Sequence, residues 1–169
     1  MKTIQERIFL LLVSVSILQV LFYASLMPVS IASHFNGDGE PNGWSSRTAF
    51  LGLYSSIFIM VVLLFRFMPG FLSRFPDAMI NLPNKDYWLA PGRRAATFST
   101  IKDRFICLGN GLMTFLIVMF QLVVQANLTE GSRLNSKALW ILLSVFVVFT
   151  ISWTVNLIRM LRTQAGQAE

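Results

Sequence analysis

Four long stretches without a charged side chain constrain this sequence of 169 residues more than any other feature. They cover 8–27, 48–68, 105–126 and 138–158, the charge-free part of the second ending at Phe65. A helix rises about 1.5 Å per residue, so about 20 residues cross the roughly 30 Å of hydrocarbon in a bilayer. The pattern predicts an all-α protein: an integral membrane four-helix bundle forming a single domain over 1–169. Composition agrees, because 54% hydrophobic against 13% charged residues is more apolar surface than a soluble domain of this size readily hides.

The net charge of +6 is distributed at the ends of the apolar runs rather than along one soluble face. That placement points to anionic lipid headgroups, not nucleic acid, as the partner. The first connection, 28–47, holds only Arg47 against Asp38 and Glu40, whereas the stretch through the second connection, 69–104, and its flank carries Arg66, Arg74, Lys85, Arg93, Arg94, Lys102 and Arg104. Lys2 and Arg7 precede the first run, Arg133 and Lys137 lie between the third and fourth, and Arg159 and Arg162 follow the fourth. The positive-inside rule then makes both termini and the 69–104 connection cytoplasmic and turns 28–47 outward. Lys2, Arg7 and the cleavage-like pattern Ser30-Ile31-Ala32, small at its first and third positions, imitate a secretory signal, but the first run exceeds the roughly 7 to 15 residues of a signal core, so a retained helix is expected.

The basic connection reads as more than a tether. Pro69, Pro76, Pro83 and Pro91 each remove a backbone donor and disfavour helix before them, while Phe71, Leu72, Phe75 and Met79 supply apolar contacts. Short pieces lying on the membrane surface are expected, with Pro91 opening an amphipathic helix on which Phe98, Ile101 and Phe105 recur beside Arg94, Lys102 and Arg104. Trp44, Tyr87, Trp88 and Trp140 are rings of the kind that settle at headgroup depth.

Within the third run, Asn110, Thr114, Gln121 and Gln125 fall within about 60° of one another at 100° per residue, so all four are expected to face the bundle interior. They read as interhelical hydrogen-bonding groups or, more sharply, as a polar path. Thr48, Gly52 and Ser56 form a small-residue stripe that suits close packing within the bundle or against a second copy, a homo-oligomer. The runs, the second taken to Phe65, contain no Asp, Glu, Lys, Arg or His, which argues against a pump or ion-coupled carrier. His34 is the only histidine and Cys107 the only cysteine, so neither a two-histidine zinc site nor an internal disulfide is available within the chain. No nucleophile elbow, phosphate-binding glycine loop or HExxH motif occurs. No catalytic residue, metal site or cofactor is therefore expected.

The segment 28–47 is dense in Asn, Asp, Gly and Pro, residues that favour tight turns, and turns returning at once to the membrane are expected there. Pro28, His34, Phe35, Asn36, Gly39, Pro41, Trp44 and Arg47 resemble the pattern of a bacterial membrane domain of unknown function, the 1648 family, also found in SdpI-type immunity proteins. The stretch from Asn81 to Pro91 is similar to a segment that recurs in short members of that group. The resemblance implies a helical domain in the bacterial inner membrane. In SdpI-type proteins the role is protection from a secreted toxic peptide, so His34, Phe35, Asn36, Asp38, Gly39, Trp44 and Arg47 become candidate recognition residues. The expectation is a non-enzymatic multi-pass protein recognising or shielding against an external peptide or envelope signal; the alternative is a small transporter or transporter subunit.

Overall fold

The computed structural model describes residues 3–163, leaving the Lys2 part of the basic N-terminal flank outside them. The elements run in the order α1 (Ile4–Ala24), β1 (Ser30–Phe35), β2 (Pro41–Ser46), α2 (Arg47–Leu72), α3 (Lys85–Trp88), α4 (Arg94–Leu128) and α5 (Ser136–Thr163), with single 3-10 turns at Asp77–Met79 and Glu130–Ser132. Helices α1, α2, α4 and α5 are each long and apolar enough to cross a bilayer. The chain is a multi-pass membrane protein of helical fold.

Helix α4 is the axis. The other three long helices pack against it, and α1 also touches α2. On α2, Phe50, Tyr54, Phe58, Val61 and Phe65 recur at three- and four-residue spacing and are buried, which turns one stripe of an otherwise lipid-facing helix toward α4. Phe120 of α4 receives this stripe: its ring lies 4.6 Å from that of Tyr54 and 5.9 Å from that of Phe50. The Tyr54 hydroxyl donates to the Leu116 carbonyl at 2.8 Å, so the phenol enters an apolar core without an orphaned donor.

Two glycines make α4 thin enough to be approached from both sides. A Cβ at Gly109 would stand 2.8 Å from the Phe65 ring, and one at Gly111 would collide with the ring of Phe149 on α5. These positions do the close-packing work within the bundle, one of the two uses expected of Thr48, Gly52 and Ser56, the other being contact with a second copy. That stripe is exposed instead, and nothing lies within 4 Å of a Cβ at Gly52, because the aromatic stripe and not the small one faces α4.

At the end carrying the N-terminus, Thr3 and Glu6 form a reciprocal cap on α1. Glu6 pairs with Lys102 at 2.6 Å and the Thr3 hydroxyl donates to Asp103 at 3.2 Å, fixing α1 against α4 just where the charges begin. Its 35 residues give α4 a length of about 52 Å, so its first turns project past a hydrocarbon core of about 30 Å.

The connection from α2 to α4 is folded. Helix α2 runs through Pro69 to Leu72, continuing past the proline expected to end it; Pro69 has no N–H to give the Phe65 carbonyl, and a single turn of helix follows it. The Arg94 guanidinium donates to the Ser73 carbonyl, the Phe75 carbonyl and the Asp77 carboxylate, each at 2.8 to 2.9 Å, and so clamps the chain leaving α2 to the start of α4. Trp88, expected at headgroup depth, is buried, and its indole donates at 3.0 Å to the Leu161 carbonyl near the end of α5. The expected amphipathic helix after Pro91 is continuous with the third span and begins at Arg94.

Candidate functional site

At the opposite end, the loop expected to hold turns alone forms a β-hairpin. Strands β1 and β2 pair antiparallel, with Ile31 opposite Ser45 and Ala32 opposite Trp44, and the register shifts between Ala32 and His34. The tip follows from Asn36. Its Oδ1 accepts from the amides of Asp38 (3.0 Å) and Glu40 (2.9 Å), and its main-chain N–H donates to the Glu40 carbonyl at 2.9 Å. An asparagine side chain that replaces a turn's own hydrogen bonds closes a short loop between strands.

Three separate anchors hold this hairpin to the bundle. At the tip, Gly39 has φ +83, and a Cβ there would collide with the Leu134 carbonyl oxygen; the Leu134 N–H donates to the Gly39 carbonyl at 2.8 Å. Only glycine combines that backbone angle with so close an approach. At the base, the Arg47 guanidinium donates to the Met27 carbonyl and its N–H to the Val29 carbonyl, both at 2.9 Å. In the middle, Asn127 of α4 accepts from the Ala32 N–H at 2.8 Å and donates to the Ala32 carbonyl at 3.0 Å. The same carboxamide donates to the Val123 carbonyl of its own helix at 2.9 Å, so both its N–H groups and one of its two acceptor positions are used inside the protein.

Asn127 also fixes which edge of the hairpin is free. Its bonds show that the polar groups of Ala32 point away from β2, which makes Ala32 and Trp44 a non-hydrogen-bonded pair. The N–H and carbonyl of Trp44 therefore point outward from the other edge, and its indole is 56% exposed.

The seven candidates from this loop separate by role. Asn36, Gly39 and Arg47 build and attach the hairpin. His34, Asp38 and Trp44 are exposed, His34 lying against Gly43 on the neighbouring strand. Phe35 is half-buried and packs against the core. Beneath the hairpin is a cleft of about 430 Å³ whose lining includes Ser33, His34, Phe35 and Ser45 above, Phe50, Leu53, Tyr54 and Ile57 on α2, and Met119 and Val123 on α4. Among the described residues, no three His, Cys, Asp or Glu side chains are grouped to hold a metal ion.

The polar stripe of α4 is only partly internal. Asn110 is buried and donates to the Gln5 carbonyl (3.2 Å) and the Gln5 side-chain oxygen (2.8 Å). Gln121 donates to the Tyr23 hydroxyl and accepts from Gln19, both at 2.9 Å. Thr114 and Gln125 are exposed, contrary to expectation. Thr114 turns its hydroxyl back to the Asn110 carbonyl, and Gln125 lies one turn beyond Gln121, past the level at which α1 ends at Ala24. The end of α1 accounts for Gln125 alone; Thr114, between Asn110 and Gln121, borders a groove beside α5 with Gly111 and Phe146.

Residues 10–65, from within α1 through the hairpin to near the end of α2, match the family model described as a domain of unknown function, DUF1648. This segment is similar to that domain. The hairpin is thus internal to the matched segment, whereas its main partners, Asn127 and Leu134, come from outside it. Comparison with curated proteins and with solved structures returns no match.

Proposed function

We propose that this chain is a non-enzymatic protein of the bacterial inner membrane, with both termini cytoplasmic, whose hairpin end recognises an external membrane-active peptide in the manner of SdpI-type immunity proteins. The observation carrying this reading is the attachment of the hairpin at tip, middle and base, which presents a fixed free edge with Trp44 at its centre. An extended peptide adds to such an edge through main-chain hydrogen bonds, and an exposed tryptophan supplies the apolar anchor that dominates many interfaces. The opposite end, with Arg74, Arg93 and Arg104 exposed, suits anionic headgroups on the cytoplasmic side. Transport has less support, because Gln121 is engaged by Tyr23 and Gln19 and Gln125 lies on the surface.

The test is binding of a panel of cationic amphipathic peptides and neutral apolar peptides to the protein in lipid nanodiscs, paired with growth of a deletion strain under the same peptides. At least one peptide is expected to bind and to inhibit the deletion strain more strongly, with Trp44→Ala weakening binding by about 2 kcal/mol, on the order of 30-fold. Absence of both binding and sensitivity overturns the proposal.

A further inference from the structure

The cleft under the hairpin changes character along the direction of the helices. Ser33, His34 and Ser45 border it at the hairpin end, and Leu53, Ile57, Met119 and Val123 line it further in. Its walls belong to helices that cross a bilayer, and Leu53 is 63% exposed, so the opening faces the acyl region. From Ala49 to Ile57 it runs about 12 Å along α2, less than half of a hydrocarbon core of about 30 Å. An occupant must therefore come from the leaflet on the hairpin side. Its volume of about 430 Å³ lies within the range of small-molecule sites, roughly 300 to 1,000 Å³.

One polar atom in this lining is left over. The Ser45 hydroxyl is out of contact with solvent and has no hydrogen-bond partner among the described residues, although it lies on the inner face of the hairpin beside fully buried Ile31. A buried hydroxyl without an acceptor is costly, and in native proteins such a group usually has a partner.

We propose that the cleft binds one acyl chain of a bilayer phospholipid, with the Ser45 hydroxyl, turned into the cleft by rotation about its Cα–Cβ bond, donating to the ester carbonyl at the head of that chain. The ester carbonyl is the lipid's first acceptor at the boundary between headgroup and hydrocarbon, which is where Ser45 stands relative to the apolar walls. The chain lies along Leu53 and Ile57 of α2 and Met119 of α4, and Phe50 and Tyr54 close the back. A bound lipid would support the hairpin from below while leaving the outer edge of β2 free. This site needs only that the bundle spans the membrane, and it stands apart from peptide recognition at Trp44.

The experiment uses the full chain in nanodiscs of phosphatidylcholine and phosphatidylglycerol containing a small fraction of phospholipid with a diazirine in mid-chain, without any peptide. After irradiation, adducts are mapped by mass spectrometry. They are expected to concentrate on 49–57 and 119–123 over the exposed face of α5 around Val148 and Ile151. Ile57→Trp, which fills the cleft, should lower the cleft adducts about fivefold, and Ser45→Ala about twofold, with labelling near Val148 unchanged. Ala49→Phe at the rim is a second filling variant should Ile57→Trp fail to fold. Adducts spread evenly over all lipid-facing helices, annular lipid only, overturn the proposal, as does undiminished cleft labelling in a folded filling variant.

Discussion

Asn127 illustrates how one side chain decides the conformation of a segment far from it in sequence. Without it, the N–H and carbonyl of Ala32, both fully buried, would face an apolar helix unpaired. Replacing it with alanine strands those groups at a cost of about 2 kcal/mol or more. Amide exchange at Ala32 should then accelerate on the order of 30-fold, while exchange in the middle of α2 stays unchanged. Unaltered exchange at Ala32 in the alanine variant would show that the bond pair does not hold the hairpin. Nothing in a helical wheel exposes this residue. Asn127 lies about 100° away from Asn110 on α4, off the stripe that drew attention to Gln121. Its role depends on a backbone 95 positions distant, whereas the Asn36 and Gly39 turn was legible because its chemistry is local.

Among the elements, α4 carries the architecture and α5 is its least embedded neighbour. The main seam between them comprises Gly111 under Phe149, the stacked rings of Phe115 and Phe146 at 4.6 Å, and the Trp153 indole donating to the Arg104 carbonyl at 2.9 Å. Gly111→Val drives a branched side chain into the Phe149 ring, and close packing rather than hydrophobic exclusion holds helices together in lipid. A disulfide engineered between α4 and α5 should form at least about fivefold more slowly in this variant, with an α1–α4 disulfide unaffected; equal rates for both would locate the seam elsewhere. The long helices were readable from uncharged length alone, since lipid imposes a single composition on every turn that crosses it. Their packing faces were less readable for the same reason: with apolar residues all round, the aromatic stripe from Phe50 to Phe65 and the small stripe from Thr48 to Ser56 compete on equal terms. The strands were masked by the Gly- and Asn-rich composition of 28–47, in which branched and aromatic residues are confined to Val29–Phe35 and Trp44.

The whole molecule has two unlike ends separated by an apolar bundle. One holds the hairpin, its cleft and few charges. The other holds the Glu6–Lys102 pair, the Arg94 clamp and the exposed arginines. Four crossings bring the end of α5 to the same side as the start of α1, the side we propose to be cytoplasmic. Recognition at Trp44 and lipid binding from the leaflet on the hairpin side both follow from this polarity. It is tested most directly with single cysteines in a Cys107→Ala background, one at Asn42 in β2 and one at Ser99 near the start of α4, both exposed positions. A membrane-impermeant maleimide added to intact spheroplasts should label Asn42→Cys at once and Ser99→Cys only after permeabilisation; labelling of both from the same side, or in the reverse order, would contradict the account.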